Sequence, residues 1–379
     1  HSCVVVRDGA TYGEQVTVDG FTNAGSSLSI MAQPGMGPQP IVAPPASSTA
    51  AFRITNSSVN ILGISIVVSQ NVPYGVWASS SYVSLSSVNV STSGGAGIYT
   101  AGVRVESWSS VEYSTVSVWN AHGLWLDGDS NSVSYSTTST KNSAFSALYL
   151  FGAMNNTVSD SYVQNLAGDG ARLEAASNSN TIIRSTMASL AVISGRYGLL
   201  LIDSAANTIA DSYVRGSTAA FITGSSATVI NGSLFVATNT AGAALVLTGG
   251  SVDLTIATTT LRASALGRGL RLLADNDGAV ALTSVTVTGA ARGIEISTQG
   301  LSFSLAIDSI TFRGLAPGAT AIHYLGGVFF STFNYANFED TSVGANVSGL
   351  ALSTASSIIM REHYGVRTSP LYENDPNNL

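Results

Sequence analysis

A four-residue pattern, a small residue followed by apolar–any–apolar, recurs along this chain and organises the rest of it. It stands as GVWA from Gly75, GVRV from Gly102, GLWL from Gly123, ALYL from Ala147, GARL from Gly170, GLLL from Gly198 and AAFI from Ala219. It continues as ALVL from Ala244, GLRL from Gly269, GIEI from Gly293 and AIHY from Ala321, with successive starts 21 to 28 residues apart. Side chains alternate across a strand, so the second and fourth positions of each copy share one face. One such column runs Val76, Val103, Leu124, Leu148, Ala171, Leu199, Ala220, Leu245, Leu270, Ile294 and Ile322, all aliphatic, and predicts an inward side. A second alternating run follows, as in VSLSSVNV from Val83, VEYSTVSV from Val111, TIIRSTMA from Thr181 and TIADSYVR from Thr208. The segments between, such as GDSNS before Val133, AMNN before Thr157 and ASNSN before Thr181, carry the residues that tolerate tight corners.

Two or three short strands per turn of about 25 residues, with no helical stretch, predict coils stacked in parallel. The period is too short for a propeller blade, and the fixed Asn frame of leucine-rich repeats is missing. The second run supports the stacking. Asp160, Arg184 and Asp211 fall in one column of consecutive coils, where opposite charges about 5 Å apart support each other. Ser86, Ser114, Ser136, Ser161, Ser185 and Ser212 form the column beside it. The expected organisation is opening coils over 1–50, the main repeats over 51–360 and a polar, Pro-containing tail or linker over 361–379.

Composition narrows the partners. Of 379 residues only 10% are charged, 45% are hydrophobic, and the net charge is −7. Lys141 is the only lysine, so the basic cluster that nucleic-acid binding needs is missing, and anionic membranes are disfavoured. No apolar run approaches the ~20 residues of a membrane span. Cys3 has no internal partner and is expected as a small apolar residue of the first strand, with a mixed disulfide as the other reading. The sequence opens on His1 rather than Met, which predicts a segment removed upstream and agrees with export.

The opening stretch VVVRDGATYGEQVTVDGF, through Gly9, Tyr12, Glu14, Val16 and Val18, resembles the first coils of β-helix proteins of the pectin-lyase-like superfamily. The resemblance implies an all-β, single-stranded right-handed parallel β-helix (a solenoid), here of about 12–13 coils by the repeat spacing, in an exported protein of the cell envelope or exterior. It does not choose an activity, because that superfamily holds lyases, esterases, hydrolases, epimerases and non-enzymatic adhesins.

Candidate chemistry lies on the outward positions of the first strand. The third-position column reads Trp77, Arg104, Trp125, Tyr149, Arg172, Leu200, Phe221, Val246, Arg271, Glu295, His323, and Glu106, Asp127 and Glu174 stand in the column beside it. Trp77, Arg104, Trp125, Tyr149, Arg172 and Glu174 are the expected ligand-binding residues. Flat rings suit the C–H faces of sugars, and charges suit hydroxyl or uronate groups. Three readings stay open at this stage: a stacking ladder alone, a glycan site, or a protein contact. The leading function is a secreted or cell-surface structural, adhesive or glycan-binding module without catalysis, able also to join end to end with itself. The second is a polysaccharide-active enzyme, lyase or glycoside hydrolase. For that role Glu106 and Asp127 would sit in one column about 5 Å apart, a retaining-glycosidase spacing. His122 in NAHGLWLD is weakly similar to the Gly-His-Gly segment of polygalacturonases, whose paired-Asp and Arg-x-Lys motifs are missing here. No cofactor is implied. Calcium is the one candidate, through DGDSN at Asp127–Asn131, which offers oxygen ligands at alternating spacing but, without the remaining ligands of a calcium loop, reads first as a solvated turn.

Overall fold

A computed structural model describes residues 2–21, 27–35, 37–93, 97–273, 276–297, 303–324, 330–339, 348–351 and 357–364. The chain is an all-β, right-handed parallel solenoid of about 12 turns with three parallel sheets. There are three strands per turn, the upper of the two numbers that the repeat predicts, because the second alternating run breaks at a corner into two strands. The turn beginning at Ile98 shows the plan. Ile98–Val105 belongs to sheet 1, Ser110–Glu112 to sheet 2 and Thr115–Ser117 to sheet 3, and the chain re-enters sheet 1 at His122–Leu126. The corner between sheets 2 and 3 turns through one residue in the left-handed region, Tyr113 (φ 48°) and Tyr135 (φ 48°) in successive turns.

Two compact units, His1–Thr186 and Met187–Leu379, divide the chain, and each is described by itself. In both, the observed strand pairings are parallel, and the aliphatic columns of sheet 1 keep the register that the sequence predicts, for example Val103↔Leu124 and Leu124↔Leu148 in the first unit, and Leu245↔Leu270 and Leu270↔Ile294 in the second. The inward columns are fully buried. Each such Leu or Ile side chain contributes about 1.5–3 kcal/mol on leaving water.

The small first residue of each repeat has a steric origin. A Cβ at Gly75, Gly102 or Gly123 would lie 2.5, 2.8 and 2.5 Å from the carbonyl oxygen of Gly102, Gly123 and Ala147, its successor one turn on. Glycine therefore lets the corner of one coil settle on the backbone of the next.

Polar ladders line the corners from inside. In the first unit the Asn131 N–H donates to Asn156 Oδ1 (2.8 Å), and the Asn156 N–H and Nδ2 both donate to Asn180 Oδ1 (2.8 and 3.0 Å). These asparagines are buried, so the turn residues of the sequence are in fact internal braces. Asn156→Ala removes the acceptor of a buried N–H and is expected to cost about 1–3 kcal/mol. A shift of the urea midpoint shows this, and an unchanged midpoint contradicts the bracing role.

The serine ladder is also real, with one correction. Ser114, Ser136 and Ser161 accept from the N–H of Val88, Ser114 and Ser136. Val88, not Ser86, therefore holds the preceding position, and Ser86 pairs with Glu112 in sheet 2. The register runs unbroken through this corner, with Ser84↔Ser110 before it and Asn89↔Thr115 after it, so the column passes through Val88, which has no hydroxyl to extend the ladder. Asp160 and Arg184 form the expected cross-coil pair, with two 2.8 Å bonds.

At the start of the first unit, Ser2–Val6 pairs among the described residues on one side only, with Leu28–Ala32. The lumen opens there into an apolar recess of about 500 Å³ lined by Val6, Val16, Val18, Leu28, Ile30 and Val42. Cys3 lies in this first strand but is exposed rather than packed. The strand Ser357–Tyr364 runs across residue 360, and residues 365–379 of the expected tail lie outside the described residues.

Candidate functional site

The outward column of sheet 1 in the first unit forms a register-matched row: Arg53↔Trp77, Trp77↔Arg104, Arg104↔Trp125, Trp125↔Tyr149 and Tyr149↔Arg172. Guanidinium and ring alternate over the first four positions, and they touch. Arg53 Cζ lies 5.6 Å from the Trp77 ring centre, and Arg104 Cζ lies 4.6 Å from that of Trp125. Such contacts contribute about 0.5–2 kcal/mol depending on desolvation. Tyr74 extends the row sideways, stacking on Trp77 at 6.0 Å and accepting a hydrogen bond from Arg104 at 3.2 Å.

Alternation does place these residues outward, yet the face is more covered than an open strand surface. Trp77, Arg104, Trp125 and Arg172 are half-buried, and Tyr149 is buried. Stacking along the row shields them. The most exposed tryptophans lie elsewhere: Trp108 is on the turn after the sheet 1 strand, 65% exposed, and Trp119 is on the turn after sheet 3 with Lys141 4.1 Å from its ring.

Each carboxylate near the row has a partner. Asp127 is ion-paired with Arg104, whose Nε donates at 2.9 Å. Glu106 turns to the preceding coil and accepts from the Ser79 hydroxyl at 2.9 Å and the Ser80 N–H. Glu174 accepts from Arg172 Nε at 2.7 Å and from the Tyr149 hydroxyl. Burial, and then the bond to Glu174, push the Tyr149 phenol well above its ordinary pKa. Glu106 and Asp127 thus occupy neighbouring positions of one column, as expected, but are drawn to different partners.

His122 opens its strand and packs among rings, stacked on Tyr149 at 4.2 Å with Phe145 edge-on at 5.1 Å. Its Nδ1 accepts the Ser146 N–H at 3.1 Å, and burial lowers its pKa to about 4, so the ring is neutral at neutral pH. The DGDSN segment is engaged in the same way. Asp129 accepts the Met154 N–H at 2.7 Å, and Asn131 accepts from Ser109. Among the described residues, no three His, Cys, Asp or Glu side chains are placed to hold a metal ion.

Two features went unread in the sequence. Arg53 sits in AFRI from Ala51, which fits the repeat pattern one copy before Gly75 and could have been found by extending it. Tyr113 and Tyr135, both exposed, stack at 5.1 Å and 4° on the sheet 2–sheet 3 corner. Their spacing of one coil was legible, but their left-handed corner position was not.

Residues 75–261 match the family model described as the right-handed beta helix region. The fold class is therefore that of a right-handed parallel β-helix. No curated protein matches the sequence. Among solved structures, the A-module of Azotobacter vinelandii mannuronan C-5 epimerase AlgE6 is similar in fold at 11% identity and TM-score 0.44, over 91% of this chain and 92% of that one. Bacteriophage CBA120 tailspike protein 3 is similar at 11% identity and TM-score 0.48, over 98% of this chain and 58% of that one. The catalytic domain of a GH87 alpha-1,3-glucanase, solved with nigerose, is similar at 10% identity and TM-score 0.35, over 80% and 63%.

Proposed function

We propose that this chain is an exported β-helix binding or scaffold protein, and that the row from Arg53 to Arg172 is a non-catalytic glycan-binding face. One observation carries the reading: rings and guanidiniums line one register-matched row while Glu106, Asp127 and Glu174 are all engaged by neighbouring groups. A glycosidase needs one protonated carboxyl and one free carboxylate facing a common bond. Paired and hydrogen-bonded as they are, Asp127 and Glu174 instead fix Arg104, Arg172 and Tyr149 in place, while Glu106 braces the turn at Ser79 and Ser80, and such preorganisation is what a binding surface needs. The half-buried rings of Trp77 and Trp125 with the exposed ring of Phe151 suit a sugar's C–H faces, and Arg172 in the same row suits its hydroxyls. The open apolar recess at Val6–Val42 suits end-to-end contact with another copy or a surface protein.

Binding to a polysaccharide panel tests this. Trp125→Ala and Trp77→Ala, checked for folding by circular dichroism, are expected to weaken the bound glycan about tenfold or more, as loss of an aromatic anchor does. Unchanged affinity in both variants, or release of cleaved sugars by the wild type, would refute the proposal.

A further inference from the structure

In the second unit the outward face of sheet 1 carries an unbalanced charge group. Glu295 is 1% exposed and receives three guanidiniums: Arg271 Nε donates to Oε1 at 2.7 Å, Arg268 Nε reaches Oε2 at 3.3 Å, and Arg292 is ion-paired with Oε2. Arg268 and Arg292 lie directly opposite each other on adjacent strands, an arrangement of like charges that is unfavourable by itself. His323 follows Glu295 in register, and its Nδ1 is buried without a partner. Burial first, then the charge of Arg292, lower its pKa, so it adds a neutral ring rather than a second carboxylate.

The first unit handles the same chemistry differently. There Arg104 is ion-paired with Asp127, Arg172 with Glu174 and Arg184 with Asp160, one carboxylate to each arginine. Around Glu295 three positive charges meet one negative, leaving two in excess on a chain whose net charge is −7. The excess faces outward: the Arg268, Arg271 and Arg292 side chains are 23%, 38% and 35% exposed. Arg271 spends only its Nε on the protein, so its two terminal nitrogens are open donors among the described residues. Arg268 also gives Nη1 to the Ala241 and Leu266 carbonyls, so it is the most firmly held of the three. A buried carboxylate that fixes three guanidiniums prepares their unspent donors to bind another group of acceptor oxygens at little ordering cost.

We propose that Arg268, Arg271 and Arg292, gathered by Glu295 with His323 beside them, form a recess for an oxyanion: a carboxylate, sulfate or phosphate group. The site is independent of the aromatic row, and its occupant is either a free inorganic anion or an acidic group carried on a saccharide.

Isothermal titration of the whole chain separates these sources. The probes are sodium sulfate, a uronic-acid tetrasaccharide, and the same tetrasaccharide as its neutral methyl ester. The expected result is binding of the acidic tetrasaccharide, at least tenfold weaker binding of the ester, and weakening with added salt. Arg271→Gln should weaken binding at least tenfold, and Arg271→Lys should keep part of it. Binding of sulfate without the tetrasaccharide supports the oxyanion recess with a free anion as occupant. If neither probe binds the wild type, or if Arg271→Gln binds within twofold of it, the proposal is wrong. Should Arg271→Gln not fold, the contrast between acid and ester on the wild type decides alone.

Discussion

Glu295→Gln is expected to lower stability by about 3–5 kcal/mol, the usual consequence of removing one member of a buried charge cluster. The carboxylate is the one acceptor on which Arg268, Arg271 and Arg292 converge, and glutamine keeps its shape while removing the charge. Three guanidiniums would then repel one another at strand spacing, with Arg268 and Arg292 directly opposed. Arg271→Gln should cost far less, because it removes one of three donors at a partly exposed position. Acidity offers a second readout. Burial favours the neutral form of Glu295, but the hydrogen bond from Arg292 and the charges of all three arginines outweigh it and hold the pKa below the ordinary 4.5. A group with a lowered folded-state pKa stabilises the fold fully above its unfolded value and loses that contribution as pH falls through the folded value. The wild-type advantage over Glu295→Gln should therefore be complete at neutral pH and shrink below about pH 4.5. Thermal midpoints measured from pH 3 to pH 7 check this, and a gap that stays constant over the range contradicts the account.

That cluster also shows where sequence reading stops. Positions two and four of each repeat are aliphatic copy after copy, so the inward columns, and with them the parallel solenoid, could be written down before any coordinates. Position three gave Arg271, Glu295 and His323 in consecutive coils. The partners that make a site of them, Arg268 and Arg292, occupy the position before the glycine, and only the register Arg268↔Arg292 brings all five together. Direction was equally hidden at Glu106 and Asp127. A shared column fixes where two carboxylates start, but the Ser79 hydroxyl and the Arg104 guanidinium decide which way each points. The buried asparagines failed for another reason. Asn131, Asn156 and Asn180 have the composition of solvated corners, and composition does not distinguish an amide facing water from one bonded to the next coil.

Phe312→Ala is expected to cost about 3–5 kcal/mol, and its interaction with Gly293 explains the small residue that opens each repeat. Phe312 is fully buried, and its Cδ1 lies 2.6 Å from where a Cβ on Gly293 would stand, with Cε1 and the Ala321 carbonyl oxygen closer still. Gly293→Ala alone should thus be destabilising by about 1–3 kcal/mol through overpacking. In the Phe312→Ala background the ring is gone, the new methyl occupies part of the vacated space, and only the carbonyl contact remains. The two changes should therefore be less harmful together than their sum, with a coupling of about 0.5–3 kcal/mol. Urea unfolding of the four proteins measures it, provided the m-values agree, since a changed m would signal altered cooperativity rather than altered packing. Strict additivity would mean that the ring does not constrain this position. The Ala321 carbonyl of the next coil would then be the whole reason for glycine at this position, unlike Gly102 and Gly123, where Val116 Cγ1 and Thr138 Oγ1 would stand nearer to a Cβ than the carbonyl does.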